Sequence, residues 1–169
     1  GVILIDLDSF KSINDTMGHS FGDQVLRLLA RQLSSCIREE DAIARFGGDE
    51  FLIMVSNISN LEDLHRITGR IMRVFQTPIS LQNIEYFITA SIGVAVYPED
   101  GLNAETLIKN ADIAMDIAKS KGKNQCFYFP SSNKEDTNKK MELTNQLKRT
   151  LGRKELFLHY QPQVKADTQ

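Results

Sequence analysis

A chain of 169 residues has room for one domain with a substantial core and a fragment of something further. With 41% hydrophobic and 25% charged residues it has the make-up of an ordinary globular protein, and a net charge of −2 gives no electrostatic footprint for nucleic acid or an anionic membrane. No apolar run approaches the ~18–20 residues that cross a bilayer and no signal-peptide pattern is visible, so a cytoplasmic segment without membrane contact is expected, from a parent protein free to carry an anchor elsewhere. The two cysteines, Cys36 and Cys126, form neither a disulfide framework nor a metal-ligand pair by spacing.

In chain order, the continuous apolar run from Val2 to Leu7 predicts a strand buried on both faces. Asp6 and Asp8 stand two apart, so both leave on one face if the strand persists. Ser9 to His19 reads as a helical turn or two ended by Gly18. From Phe21, the spacing of Val25, Leu26, Leu29, Leu33 and Cys36 predicts an amphipathic helix with Asp23 in its first turn. Two apolar runs, Ala42–Ala44 and Phe51–Val55, flank Gly47-Gly48-Asp49-Glu50 and predict a tight hairpin, because glycine takes positive φ without strain. Ser59-Asn60-Leu61-Glu62 fits a capping box, and Leu61, Leu64, Ile67, Ile71, Val74 and Phe75 make the buried stripe of the helix behind it. Strands are expected over Thr77–Leu81 and Ile84–Tyr97. Asn103 is set to cap a helix with stripe Leu107, Ile108, Ala111, Ala114, Met115 and Ala118, ending near Gly122, and Gln125–Phe129 reads as a last strand.

Helices set among strands in this order predict a layered α/β (α+β) fold. Composition then changes at Pro130. Residues 131–152 read as a polar linker and a short connecting helix, and residues 153–169, with Leu156–Val164, as the first strand of a truncated second domain.

The chemistry gathers where acids meet strand ends. A lone Gly-Gly-Asp-Glu tip is more often a solvated turn than a site. Here Asp6 arrives on a separate strand, and two acids from two strands are the minimum for a metal pair that clamps a phosphoryl group. The backbone from Leu7 to Phe10 offers N–H groups to a phosphate. Lys119 and Lys123, one helical turn apart, can neutralise a polyphosphate, although lysines near a helix C-terminus also occur for dipole reasons alone.

The block Phe10-Lys11-x-Ile13-Asn14-Asp15-x-x-Gly18-His19-x-x-Gly22-Asp23-x-x-Leu26, followed by Arg45-x-Gly47-Gly48-Asp49-Glu50-Phe51, resembles the GGDEF family of diguanylate cyclases. Ten fixed residues in the first block would match by chance with odds on the order of 10⁻¹² at average residue frequencies, so the likeness is specific. It covers about residues 1–130, and Tyr160-Gln161-Pro162-Gln163-Val164 resembles the opening of an EAL phosphodiesterase domain.

This resemblance implies a central, mostly antiparallel sheet flanked by helices, similar to adenylyl cyclases and polymerase palms with a ferredoxin-like core. It implies condensation of two GTP into cyclic di-GMP with release of pyrophosphate, by a homodimer of domains, in bacterial second-messenger signalling. Matching positions make Asp6, the Leu7 carbonyl, Asp49 and Glu50 the ligands of Mg²⁺ (or Mn²⁺), two per active site. Asp49 and Glu50 are the catalytic acids, and which of them serves as base stays open. Asn14 and Asp23 match the guanine-reading positions, with Phe10, Lys11, Lys119 and Lys123 completing the substrate site. Arg38 and Asp41 match the inhibitory product site, where arginine forks grip the phosphates of cyclic di-GMP. His19 matches the family's Gly-His pair and reads as a hydrogen-bonded structural histidine.

Two positions depart from the family pattern: Lys123 replaces an arginine and loses its bidentate geometry, and Asp116 replaces a tyrosine. The alternative to a cyclase is a catalytically weak GTP-binding domain that controls an adjacent cyclic di-GMP phosphodiesterase.

Overall fold

The structure is a computed structural model and describes residues 1–81 and 84–129. The linker, the connecting helix and the EAL-like strand expected over 131–169 lie outside the described residues. Strand β1 (Val2–Leu7) leads into helices α1 (Phe10–Met17) and α2 (His19–Ser34), then the hairpin β2 (Ala42–Gly47) and β3 (Glu50–Met54). Helix α3 (Leu61–Val74) precedes the ribbon β4 (Ile79–Leu81) and β5 (Ile84–Tyr86), and β6 (Ala90–Ala95), α4 (Ala104–Ser120) and β7 (Gln125–Tyr128) follow. The main sheet runs β2-β3-β1-β6-β7, antiparallel throughout except for the parallel β6–β7 edge. It is the mostly antiparallel α+β sheet expected.

Strand β1 is apolar apart from Asp6 because it lies between β3 and β6 with helices over both faces. Ile3, Ile5 and Leu7 join Phe51, Ile53 and Ile92 beneath Val25, Leu29 and Leu33 of α2 and Leu64, Ile67 and Ile71 of α3. Val2 and Leu4 face the other way, onto Leu107, Ala111, Ala114 and Met115 of α4. On that side the approach is close. A Cβ on Gly93 would run into the Ala111 carbonyl and the Met115 backbone, so only glycine lets α4 settle onto β6.

Several local expectations need correction. The single strand expected over Ile84–Tyr97 is two, because β5 pairs with β4 in a separate ribbon while β6 pairs with β1 and β7. The chain crosses between them at Phe87–Thr89, which leaves Phe87 exposed, and β6 beyond the break is buried on both faces rather than alternating. Helix α2 starts at His19, so Asp23 falls beyond its first turn, and His19 is exposed at its first position. The cap of α3 is Asn60, whose Oδ1 accepts from the Asp63 N–H at 3.0 Å, and Leu61 is exposed in the first turn instead of joining the stripe. Asn103 caps α4 as expected, accepting from the Thr106 N–H at 2.8 Å.

The strand does not persist to Asp8, so the strand alternation that would set it beside Asp6 ends before it. Strand β1 ends at Leu7, and the buried Asp8 carboxylate accepts from Ser91 Oγ (2.7 Å), Thr89 Oγ1 (2.8 Å) and the Asn124 N–H (3.0 Å). One side chain thus ties the end of β1 to the start of β6 and to the turn before β7.

Two substitutions test this framework. Gly93→Val, which forces α4 off the sheet, is expected to cost about 3 kcal/mol, read as a lower urea midpoint with unchanged slope. Asp8→Ala removes a charged acceptor from three donors and is expected to cost roughly 2–3 kcal/mol by the same measurement.

Candidate functional site

The β2–β3 hairpin is bent by a register shift between Arg45 and Gly47, which turns Phe46 out into solvent. Gly48 takes positive φ at the tip. Its carbonyl is gripped by the Arg45 guanidinium, with Nε at 2.9 Å and Nη2 at 2.6 Å. The tip is anchored to β1 because the Leu7 N–H donates to the Asp49 carbonyl at 3.3 Å. Asp6 and Glu50 are direct cross-strand partners, so both side chains leave on the α4 face, in line with Leu4 and Leu52. The structure therefore brings together Asp6, Asp49 and Glu50 at the ends of two neighbouring strands. Leu7, the fourth expected ligand, is the last residue of β1 beside them.

A cation already reaches this group. Lys119, in the last turn of α4, places Nζ 3.0 Å from Asp6 Oδ2. Burial pushes the Asp6 carboxyl above its usual range; the hydrogen bond and charge of Lys119 oppose this, and Asp49 and Asp8 add to it. Burial also raises Glu50, reinforced by Asp6, Asp112 and Asp49 against Lys119. Burial alone would lower the Lys119 ammonium, but its bond to Asp6 and the charges of Asp6, Asp116 and Glu50 outweigh burial and raise it. The cluster thus carries more negative charge than one lysine compensates.

Among the described residues no three His, Cys, Asp or Glu side chains form a ready-made metal cage. The donors are oxygens only and under-neutralised, which suits a hard divalent cation whose remaining ligands come from water and phosphate. The chemistry of this donor set, and the cation Asp6 already holds, suit such an ion.

On the opposite side of β1, α1 and α2 are pressed together at Gly22. A Cβ there would run into the Asn14 side chain and come within 3.1 Å of Phe10 Cζ, so Asn14 sits against the backbone beside Asp23. Asp23 is exposed on α2 and borders a cleft of about 320 Å³ with Leu26, Arg27, Arg45 and Phe51. Phe10 is buried as a wedge beneath this corner, and Lys11 is exposed on α1. Of the N–H groups expected to face phosphate, two are engaged: Leu7 donates to Asp49 and Asp8 to the Thr89 carbonyl.

Lys123 is exposed just past α4 at φ 63°, its N–H donating to the Ala118 carbonyl. Arg38 and Asp41 lie in the turn between α2 and β2. The buried Asp41 carboxylate accepts from the Arg38 N–H and the Ser56 N–H, both at 2.9 Å, while the Arg38 guanidinium stays at the surface, 3.7 Å from Glu40. Asp41 thus shapes the turn that presents Arg38.

The sequence reading assigned no role to Arg45, the clasp of the hairpin, or to Asp112, whose charge reaches Glu50. Asp112 had a visible signal: Asp112, Asp116 and Lys119 recur at four and three on one face of α4.

The sequence profile described as "Diguanylate cyclase, GGDEF domain" matches residues 1–125. The bifunctional diguanylate cyclase/cyclic di-GMP phosphodiesterase MucR of Pseudomonas aeruginosa is 38% identical over 98% of this chain and 24% of its own length. The cyclic di-GMP phosphodiesterase NbdA of the same species is 36% identical over 95% of this chain and 20% of its own. Diguanylate cyclase TpbB, also of P. aeruginosa, is 41% identical over 70% of this chain and 27% of its own. The chain thus spans about a quarter or less of the first of these curated relatives. The crystal structure of the TpbB GGDEF domain superposes with a TM-score of 0.74 at 37% identity, covering 76% of this chain and 81% of that one. The GGDEF domain of Caulobacter crescentus DgcB, solved with cyclic di-GMP, gives a TM-score of 0.67 at 27% identity, covering 75% of each chain. The fold, the acid-bearing hairpin and these likenesses agree: this chain belongs to the diguanylate cyclase GGDEF-domain family of cyclic di-GMP signalling proteins.

Proposed function

We propose that the domain condenses two GTP into cyclic di-GMP, releasing two pyrophosphates, as an antiparallel pair of domains that each hold one nucleotide. The observation that carries this is the meeting of Asp6 with Asp49 and Glu50 on adjacent strand ends, beside Lys119. In each step a ribose 3′-hydroxyl attacks the α-phosphorus of the facing nucleotide, a phosphorus–oxygen bond forms, and the bond to the pyrophosphate oxygen breaks. The hydroxyl proton passes to a hairpin carboxylate, Asp49 or Glu50, or to water held by it. Magnesium or manganese, two per site when bound, supplies charge neutralisation at the phosphates and activation of the attacking oxygen.

The chain's own residues supply position and charge. Asn14 offers an amide and Asp23 a carboxylate to a guanine edge, a pairing that matches its acceptor and donors. Lys119 and Lys123 bring positive charge to the triphosphate, and Lys11 adds to it from α1. The stiffness of the Arg45–Gly48 clasp keeps the two acids from relaxing apart when the nucleotide arrives. Arg38 is the anchor of the product-inhibition site, with Asp41 bound into the turn beneath it.

A second reading rests on a specific observation: NbdA is named a phosphodiesterase, and this chain carries Asp116 and Lys123 at positions where the family resemblance calls for tyrosine and arginine. On that reading the domain binds GTP without turnover and regulates a neighbouring phosphodiesterase. Incubation with GTP and Mg²⁺ separates the two. Cyclic di-GMP is expected by chromatography, with Asp49→Ala lowering the rate at least about a hundredfold. GTP binding by calorimetry with no product at any protein concentration would instead establish the regulatory role. For the product site, Arg38→Ala is expected to raise the cyclic di-GMP concentration giving half-inhibition about tenfold or more, with the uninhibited rate retained.

A further inference from the structure

Lys119 contacts one of the carboxylates that the proposed function assigns to a divalent cation. Its ammonium is 3.0 Å from Asp6 Oδ2, with the carboxylate side chain only 16% exposed and the lysine 31%. Nothing on β1 itself supplies that charge. It arrives from the end of a 17-residue helix whose register is fixed by the close seat of Ala111 and Met115 on Gly93. A half-buried pair of this kind attracts more strongly than a surface one, since less water screens it. An ammonium and a dication cannot share one carboxylate oxygen at contact distance, because their mutual repulsion is screened no better than the attraction.

Resting on the reading of Asp6 as a cation ligand, we propose that Lys119 is a resident stand-in for the divalent cation at Asp6, released only when a nucleotide polyphosphate draws its ammonium away. The lysine then has two places. Without nucleotide it neutralises Asp6 and keeps the site's affinity for free divalent cations low. With nucleotide it moves to phosphate and uncovers the carboxylate. Asp116, one helical turn before Lys119, and Asp112 behind it give the ammonium further negative neighbours during the exchange, so it need not pass through an unpaired state. Two ligands that each remove the same obstacle help one another. Nucleotide and cation therefore bind with positive coupling, and by linkage the factor is the same in both directions.

The test uses Mn²⁺ alone, followed by the loss of its free-ion electron paramagnetic resonance signal as the full chain is titrated without nucleotide. The wild type is expected to bind weakly. Lys119→Met is expected to tighten Mn²⁺ about tenfold or more, within the usual range of such couplings. Lys119→Arg, which restores the cation, is expected to return the affinity to the wild-type value, and adding Asp6→Asn to Lys119→Met is expected to abolish the gain. Should the methionine variant lose its cooperative unfolding, Lys119→Gln carries the same expectation. Equal Mn²⁺ affinity in the wild type and the neutral variants would overturn the proposal. So would a gain that survives Asp6→Asn. Because no nucleotide is present, a chain that makes no cyclic di-GMP can still show the gain, and one that does make it can lack it, so the two proposals fail separately.

Discussion

The cross-strand pair Asp6–Glu50 governs how the rest of this molecule is arranged. Antiparallel register sets two carboxylates opposite one another on one face of the sheet, where their repulsion works against the pairing that brings them together. The strands stay paired because β1 is held from both sides and because its apolar residues fill two separate cores. Helix α4 then delivers a lysine to the acidic end, and its delivery depends on a glycine in the neighbouring strand. Hydrophobic packing at one end of the strand thus sustains unfavourable electrostatics at the other. This is a usual relation between a scaffold and a charged site.

The two acids at the end of β1 and just beyond it show how environment divides roles between identical side chains. Asp8 is buried and its carboxylate is committed to three donors of the frame. Asp6, two residues earlier, has one cationic partner, while burial and, to a lesser degree, its carboxylate neighbours press its proton affinity upward. One is a joint in the frame. The other is a charge paired with a single lysine.

Much of this was legible in the sequence, for reasons that differ by element. The buried strand β1, the stripes of α2 and α4 and the Asn103 cap are local patterns, and local patterns survive folding. The hairpin acids and Asp6 were legible as a site only through their combination and the resemblance it carries, since either acid segment alone reads as a solvated turn. What could not be read depends on partners distant in the chain. The split at Phe87–Thr89 arises because two sheets compete for one continuous β-prone segment, and no local signal says which residues go to which. The burial of Asp8 is not legible locally because its three donors come from residues 89, 91 and 124. The Arg-x-x-Asp pattern alone does not show that Asp41 accepts from the Ser56 N–H, fifteen residues on, and so also serves the turn that bears it.

The bend between Arg45 and Gly47 has a consequence beyond the acids it aims. Strand β2 is the outer edge of the sheet, and such an edge ordinarily presents a row of backbone groups on which another strand can grow. The displaced Phe46 interrupts the regular spacing of that row, and the Arg45 guanidinium folds back over the turn instead of lying along the strand. An incoming strand could match the edge for only a few residues before losing register. The irregularity that holds the acidic turn in shape therefore also limits strand addition along the β2 edge.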